Sequence, residues 1–212
     1  MGQPVVSQRA AQPLDADLRS ALKWMLERLV GLPPREVRAV ASDTYLLFVD
    51  GACEPGGPDS SELVTSVGAV LTDQTGRGIS CFGFELPSDV VAKWSGGVRH
   101  QLVFEAGVLP YRLALEIWES LLRGRHLLVF IDNDAARHSW IKGFADSFFA
   151  RQMIHSGTML GSVTGVVTYF CRVPTASNIS DGPSRLDFTL CEKIGCRRAH
   201  VPLETIRACA LG

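Results

Sequence analysis

No apolar run in this sequence approaches the roughly 20 residues that a bilayer-spanning helix requires. The strict ones, such as Leu46 to Val49, stop after a few residues. A spanning helix is thereby excluded, and no membrane partner is expected. An apolar segment behind a charged leader is missing too, and six cysteines over 212 residues are neither dense nor regularly spaced. An intracellular, reducing setting, cytoplasmic or nuclear, is therefore expected, with free thiols in place of a disulfide framework. Charge of one sign is also lacking: 21 basic and 22 acidic residues leave a net charge of −1. That excludes a chain that coats nucleic acid by bulk attraction, because such binding scales with the phosphates neutralised. A local basic surface stays open, and lysine is scarce, limited to Lys23, Lys93, Lys142 and Lys193. The arginine bias suits bidentate phosphate contacts. No internal repeat is visible.

What is present is 46% hydrophobic and 20% charged residues, ample material for a packed core. The length suggests one domain with an appendage. Residues 1–40 read as a flexible lead-in followed by a connector helix: Leu18, Leu22, Met25, Leu26 and Leu29 fall at helical spacing, Asp15 and Asp17 sit in the first turn, and Gly31, Pro33 and Pro34 stop the run. Residues 41–190 form the main domain, and 191–212 a C-terminal tail. Tyr45 to Val49 reads as a buried strand, and Val64 to Leu71 and Ile79 to Phe84 as two more around the turn Asp73-Gln74-Thr75-Gly76. Leu109 to Leu122 is expected to be a helix beginning near Val108, because Pro110 suits only a first turn. Leu127 to Ile131 is a strand, Ala135 to Phe149 a helix interrupted near Gly143, and Gly165 to Cys171 the next strand. The expected fold is α/β: a mixed five-stranded sheet, three antiparallel strands and then parallel ones, flanked by helices.

Two buried-looking strands end in aspartate, Phe48-Val49-Asp50-Gly51 and Phe130-Ile131-Asp132-Asn133. Adjacent strands lie about 4.8 Å apart, so these carboxylates can meet. Like charges so close raise one another's pKa unless a cation intervenes, and an all-oxygen ligand set points to a hard ion. Taken singly, each aspartate is more readily read as a cap for the element after its strand.

Taken in order, the motifs LLFVDGACEPGG around Asp50, SVGAVLTD, LLVFIDNDAARHSWIKG around Asp132 and FCRVPTASNISDGPSR around Asp181 resemble the ribonuclease H domain of retroelement reverse transcriptases. The resemblance spans Tyr45 to about Leu186. It implies a ribonuclease H-like fold and an endonuclease that hydrolyses the RNA strand of RNA–DNA hybrids. It further implies two Mg²⁺ ions, or Mn²⁺ in their place, held by Asp50, Glu105, Asp132 and Asp181, and no small-molecule cofactor. The implied partners are the hybrid and the polymerase domain of the same polyprotein, to whose connection segment the helix before Pro33 is similar. Gly51, Asn133, Asn178, Arg185 and Trp94 are the implied substrate contacts.

The sequence departs from that pattern twice. The framework places the fourth acid two residues after Glu105, where Gly107 stands, and Pro174 to Ser180 lacks the loop histidine that the family uses for proton transfer. His155, the nearest upstream, is expected on the surface ahead of a strand. These departures keep a second reading open, a catalytically weakened module of the same fold that binds nucleic acid or serves a structural role. A third is another nuclease of that fold. Asn178 also reads as a cap, Trp94 as core, and Lys93 and Arg99 as cations beside it. In the tail, Cys191, Cys196, His200 and Cys209 are spaced outside the usual zinc-ligand intervals, so no zinc site is expected from them.

Overall fold

The structure, a computed structural model, describes residues 15–31, 44–55, 63–96 and 102–212. The chain divides into two units, Met1–Glu36 and Val37–Gly212. In the first, helix α1 (Ala16–Gly31) forms where the leucine spacing places it. Its start is capped by Asp15, whose Oδ1 accepts the Leu18 amide at 2.7 Å.

The second unit begins with strands β1 (Thr44–Pro55), β2 (Leu63–Asp73) and β3 (Gly78–Glu85). Helices α2 (Ser88–Ser95), α3 (Leu102–Ile117) and α4 (Glu119–Leu122) lead to β4 (His126–Ile131). Then come α5 (Asp134–Lys142), α6 (Phe148–Thr164), β5 (Val167–Arg172), a 3-10 turn (Thr175–Ser177) and α7 (Asp181–Ser184). The chain finishes with α8 (Thr189–Lys193), β6 (Arg197–Arg198) and α9 (Leu203–Leu211). The sheet order is β5-β4-β1-β2-β3-β6. Only β2 runs against its neighbours; β4 and β5 are parallel to β1, and β6 to β3. The β2–β3 turn forms because Asp73 Oδ1 accepts the amides of Thr75 and Arg77 at 2.8 and 3.1 Å, while Gly76 supplies φ +83°.

Strand alternation gives the sheet two different faces. Leu47, Val49, Val67, Ala69, Phe82, Val129 and Ile131 pack on one face against α3, whose Ala106, Val108, Leu109, Leu113 and Ala114 are buried. The opposite face carries a smaller cluster of Phe48, Val70, Cys81, Phe188 and Cys191. Among the described residues no helix is long and apolar enough to cross a membrane.

Several expectations are corrected. The sheet has six strands, since the two-residue β6 adds to β3. Helix α3 starts at Leu102, not near Val108, so Pro110 lies inside it. Pro110 withholds the amide that would bond the Ala106 carbonyl, and Ala106 is where α3 lies directly against Gly51. The interrupted helix is two helices: Gly143, at φ +69°, closes α5, and α6 then runs on to Thr164. His155 thus sits on the exposed side of α6. Residues beyond 190 contribute β6 and α9 to the second unit, with Ile206, Cys209 and Ala210 buried in its main core.

Candidate functional site

The sheet register brings the first two aspartates together. Val49 pairs with Ile131 as the last step of the β1–β4 ladder, so Asp132, just past the end of β4, comes beside Asp50. The expected strand end at Asp50 is corrected, because β1 runs on to Pro55 in its pairing with β2. Asp181 reaches the same place from α7. That short helix docks because Gly68 lies opposite Asp50, and Gly83 opposite Gly68, forming a row without side chains. A Cβ at Gly68 would stand 2.3 Å from the Ser184 nitrogen, and one at Gly83 2.1 Å from the Pro183 oxygen.

Asp50, only 9% exposed, accepts a 2.5 Å hydrogen bond from Ser184 Oγ, and the Ser184 carbonyl accepts one from Ser66 Oγ at 2.5 Å. Burial pushes the Asp50 carboxyl above its ordinary value against the hydrogen bond from Ser184, and the charges of Asp132 and Asp181 push it further. The three aspartates are therefore electrostatic neighbours.

The fourth acid does not join them. Glu105 is buried in the first turn of α3 and accepts a hydrogen bond from Ser147 Oγ, just ahead of α6. Gly107 is turned toward the β4–α5 junction: a Cβ there would meet Asn133 Nδ2 at 3.1 Å and Ala136 Cβ at 3.3 Å. Asp181 is paired with Arg185 at 3.1 Å, and Arg185 also pairs with Glu54.

The expectation of two Mg²⁺ or Mn²⁺ ions across Asp50, Glu105, Asp132 and Asp181 is corrected on this geometry. Among the described residues, the one group of three metal-ligating side chains whose donor atoms lie within 4.8 Å of one another is Cys81, Cys191 and Cys196. The carboxylates do not close to that spacing. The physical reason is that each of Asp50, Glu105 and Asp181 already spends oxygens on a protein partner, and position 107 offers no side chain.

The remaining expected site residues hold the framework. Asn133 caps α5, its Oδ1 accepting from the Ala136 amide at 3.1 Å while Nδ2 donates to the Val103 carbonyl at 3.4 Å. Asn178 is buried; it donates to the Val49 carbonyl at 3.1 Å and accepts from Ser180 Oγ at 2.7 Å, which ties the segment before α7 to β1. Trp94 is buried in α2 and donates from Nε1 to the Ala210 carbonyl at 3.1 Å. Lys93 shares α2, and Arg99 lies outside the described residues.

The thiol group was missed in the sequence because Cys81 lies more than a hundred residues before its partners. Cys81 and Cys191 are buried, and Cys196 is half-buried. The neighbouring Cys191 and Cys81 thiols and the Ile79 backbone hold the Cys196 thiol down at about 4. The neighbouring Cys196 and Cys81 thiols, Cys196 first, push the Cys191 thiol up. Cys209 belongs to the main core on the other side of the sheet, not to this group.

Strand order and strand directions define a ribonuclease H-like fold. No family model and no curated protein matches the chain. Among solved structures, ribonuclease H1 from the halophilic archaeon Halobacterium salinarum aligns with a TM-score of 0.48 and 16% identity, over 70% of this chain and 98% of its own. The N-terminal ribonuclease H domain of a Mycobacterium tuberculosis protein gives 0.46 and 14%, over 72% and 98%. A foamy viral protease-reverse transcriptase in complex with RNA/DNA hybrid gives 0.41 and 11%, over 83% of this chain and 26% of that one.

Proposed function

We propose that this chain is a catalytically weakened ribonuclease H-like module that binds RNA–DNA hybrid within a retroelement reverse transcriptase. The observation that carries the reading is the fate of the fourth acid. Glu105 is committed to Ser147, and the glycine at 107 leaves the carboxylate set one member short. Binding without efficient cutting needs surface contacts rather than a closed acid cluster. Phe144 and Phe148, exposed at 51% and 61%, flank Ser147, and Arg151 stacks over the Phe144 ring at 5.0 Å. An exposed aromatic with a stacked guanidinium suits a nucleic-acid sugar or base, and such stacking contributes about 1–3 kcal/mol per base.

The test pairs fluorescence anisotropy on a labelled RNA–DNA hybrid with a cleavage assay in divalent-cation buffer. The native chain is expected to bind the hybrid and leave it near background. Phe148→Ala should weaken binding by roughly tenfold, the lower end of that stacking range. Gly107→Glu, whose new side chain emerges one residue from Asp132 once Asn133 yields a few tenths of an ångström, should raise cleavage. Efficient cutting by the native chain, or no measurable hybrid binding, defeats the reading.

A further inference from the structure

The small cluster on the sheet face away from α3 holds three thiols that no carboxylate chemistry uses. Cys81 projects from β3, Cys191 from α8, and Cys196 from the turn that follows it. Gly195, at φ +82°, reverses the chain there, and the Cys196 amide bonds back to the Cys191 carbonyl at 2.9 Å. That turn lets a pair separated by four intervening residues present both sulfurs to the same point. Gly78 makes the room: a Cβ at that position would stand 2.5 Å from Cys196 Sγ.

We propose that Cys81, Cys191 and Cys196 bind one Zn²⁺ through three thiolates, with the fourth position open on the half-buried Cys196 side to water or an exogenous ligand. The spacing is close to what the ion needs. Zn–S bonds of about 2.3 Å in a tetrahedron put sulfurs roughly 3.8 Å apart, so donors already within 4.8 Å of one another close by at most about 1 Å. Three sulfur donors select a soft or borderline ion over Mg²⁺ or Ca²⁺.

A nearby cation serves a metal-bound thiolate set. Arg198, opposite Cys81 in the β3–β6 pairing and stacked 3.6 Å over the Phe188 ring, brings a fixed positive charge beside three thiolates whose sum with Zn²⁺ is negative. The site lies apart from Asp50, Asp132 and Asp181, and it stands whether or not the chain binds hybrid.

Titration of the full chain with Co²⁺ under reductant tests this directly. An intense sulfur-to-cobalt charge-transfer band with tetrahedral ligand-field absorption should saturate at one equivalent and disappear when Zn²⁺ is added. Cys81→Ser and Cys196→Ser should each weaken cobalt binding by more than about a hundredfold, beyond the 10–100-fold that loss of an outer-shell partner costs. Cys209→Ser should leave the band unchanged. Should the serine variants fail to fold, alkylation mapping of the native chain decides: Zn²⁺ must protect the half-buried Cys196 while Cys53 and Cys171 continue to react. A missing band, a band that survives Cys81→Ser in a folded chain, equal alkylation of Cys196 with and without Zn²⁺, or a Cys191–Cys196 disulfide persisting under reductant overturns the assignment.

Discussion

Replacing Gly51 by alanine separates a packing role from a ligand-contact role at the residue after Asp50. A Cβ at Gly51 would stand 2.3 Å from both the carbonyl carbon and oxygen of Ala106 and 2.7 Å from the Gly107 nitrogen. Ordinary contact between carbon atoms is about 3.5–4.0 Å, so α3 and β1 must part by more than about 1 Å. All three obstructing atoms are backbone, and α3 cannot retreat without loosening Ala106, Val108, Leu109 and Leu113 from the core. Overpacking of this kind costs about 1–3 kcal/mol, and backbone on both sides places Gly51→Ala near 3. The loss of unfolded-chain freedom works in the other direction by about 0.4–1 kcal/mol, leaving a net destabilisation of about 2 kcal/mol. With a urea slope of about 2 kcal/mol per molar, the midpoint should fall by about 1 M. Gly76→Ala is the comparator: φ is +83° but the space is open, so only left-handed strain applies, about 1 kcal/mol before the same offset. Urea unfolding followed by far-ultraviolet circular dichroism gives both midpoints. A Gly51→Ala midpoint equal to or above that of Gly76→Ala would refute the steric argument, and lost hybrid binding at native stability would return Gly51 to a ligand-contact role.

Two further substitutions probe the neighbouring contacts. The folded-state pKa of Asp50 lies above its ordinary 3.8, chiefly through burial, so the folded chain holds this proton more tightly than the unfolded one. Stability from this group is present below 3.8 and lost as pH rises through the raised folded pKa. Asp50→Asn, whose Oδ1 still accepts from Ser184, should therefore unfold at higher urea than the native chain at neutral pH. The gap should shrink as pH falls through the raised folded pKa and be at its smallest once pH is below 3.8; an equal or lower midpoint at neutral pH contradicts the burial argument. Trp94→Phe leaves the buried Ala210 carbonyl without its 3.1 Å donor. It should cost about 1–2 kcal/mol in urea unfolding without changing hybrid affinity, and a selective affinity loss would make Trp94 a substrate contact.

The fold was legible where local chemistry and tertiary packing agree. The β2–β3 turn carries its own side-chain cap in Asp73, and the aliphatic strands Tyr45 to Val49 and Leu127 to Ile131 need no distant partner to be recognised. It was illegible where tertiary packing overrides a local rule. Pro110 should open a helix, yet α3 gains a turn and a half of buried contacts by starting at Leu102 and setting the unbonded Ala106 carbonyl against Gly51. β6 is two arginines long and has no strand signature of its own; it exists because the β3 edge offers it partners.

The carboxylates and the thiols divide along the same line. Asp50 and Asp132 could be paired in advance because each follows a recognisable apolar run and parallel neighbours put those two runs in register, even though β1 itself continues past Asp50 to Pro55. Glu105 could not be placed, because the rotation of α3 that aims it at Ser147 is fixed by the bare backbone at Gly51 and Gly107, contacts that leave no periodic mark. For the thiols, interval rules went astray by treating the tail as self-contained. Cys191 and Cys196 sit too far apart for a knuckle on their own, and the residues nearest in sequence, His200 and Cys209, are not the third ligand. The third sulfur comes from Cys81, and it is there because α7 settles on Gly68 and Gly83 and carries α8 over the same sheet face. The glycine row that admits Ser184 to Asp50 is thus also what delivers Cys191 to Cys81. A side chain at Gly83 would disturb both sites, whereas one at Gly107 would reach only the first.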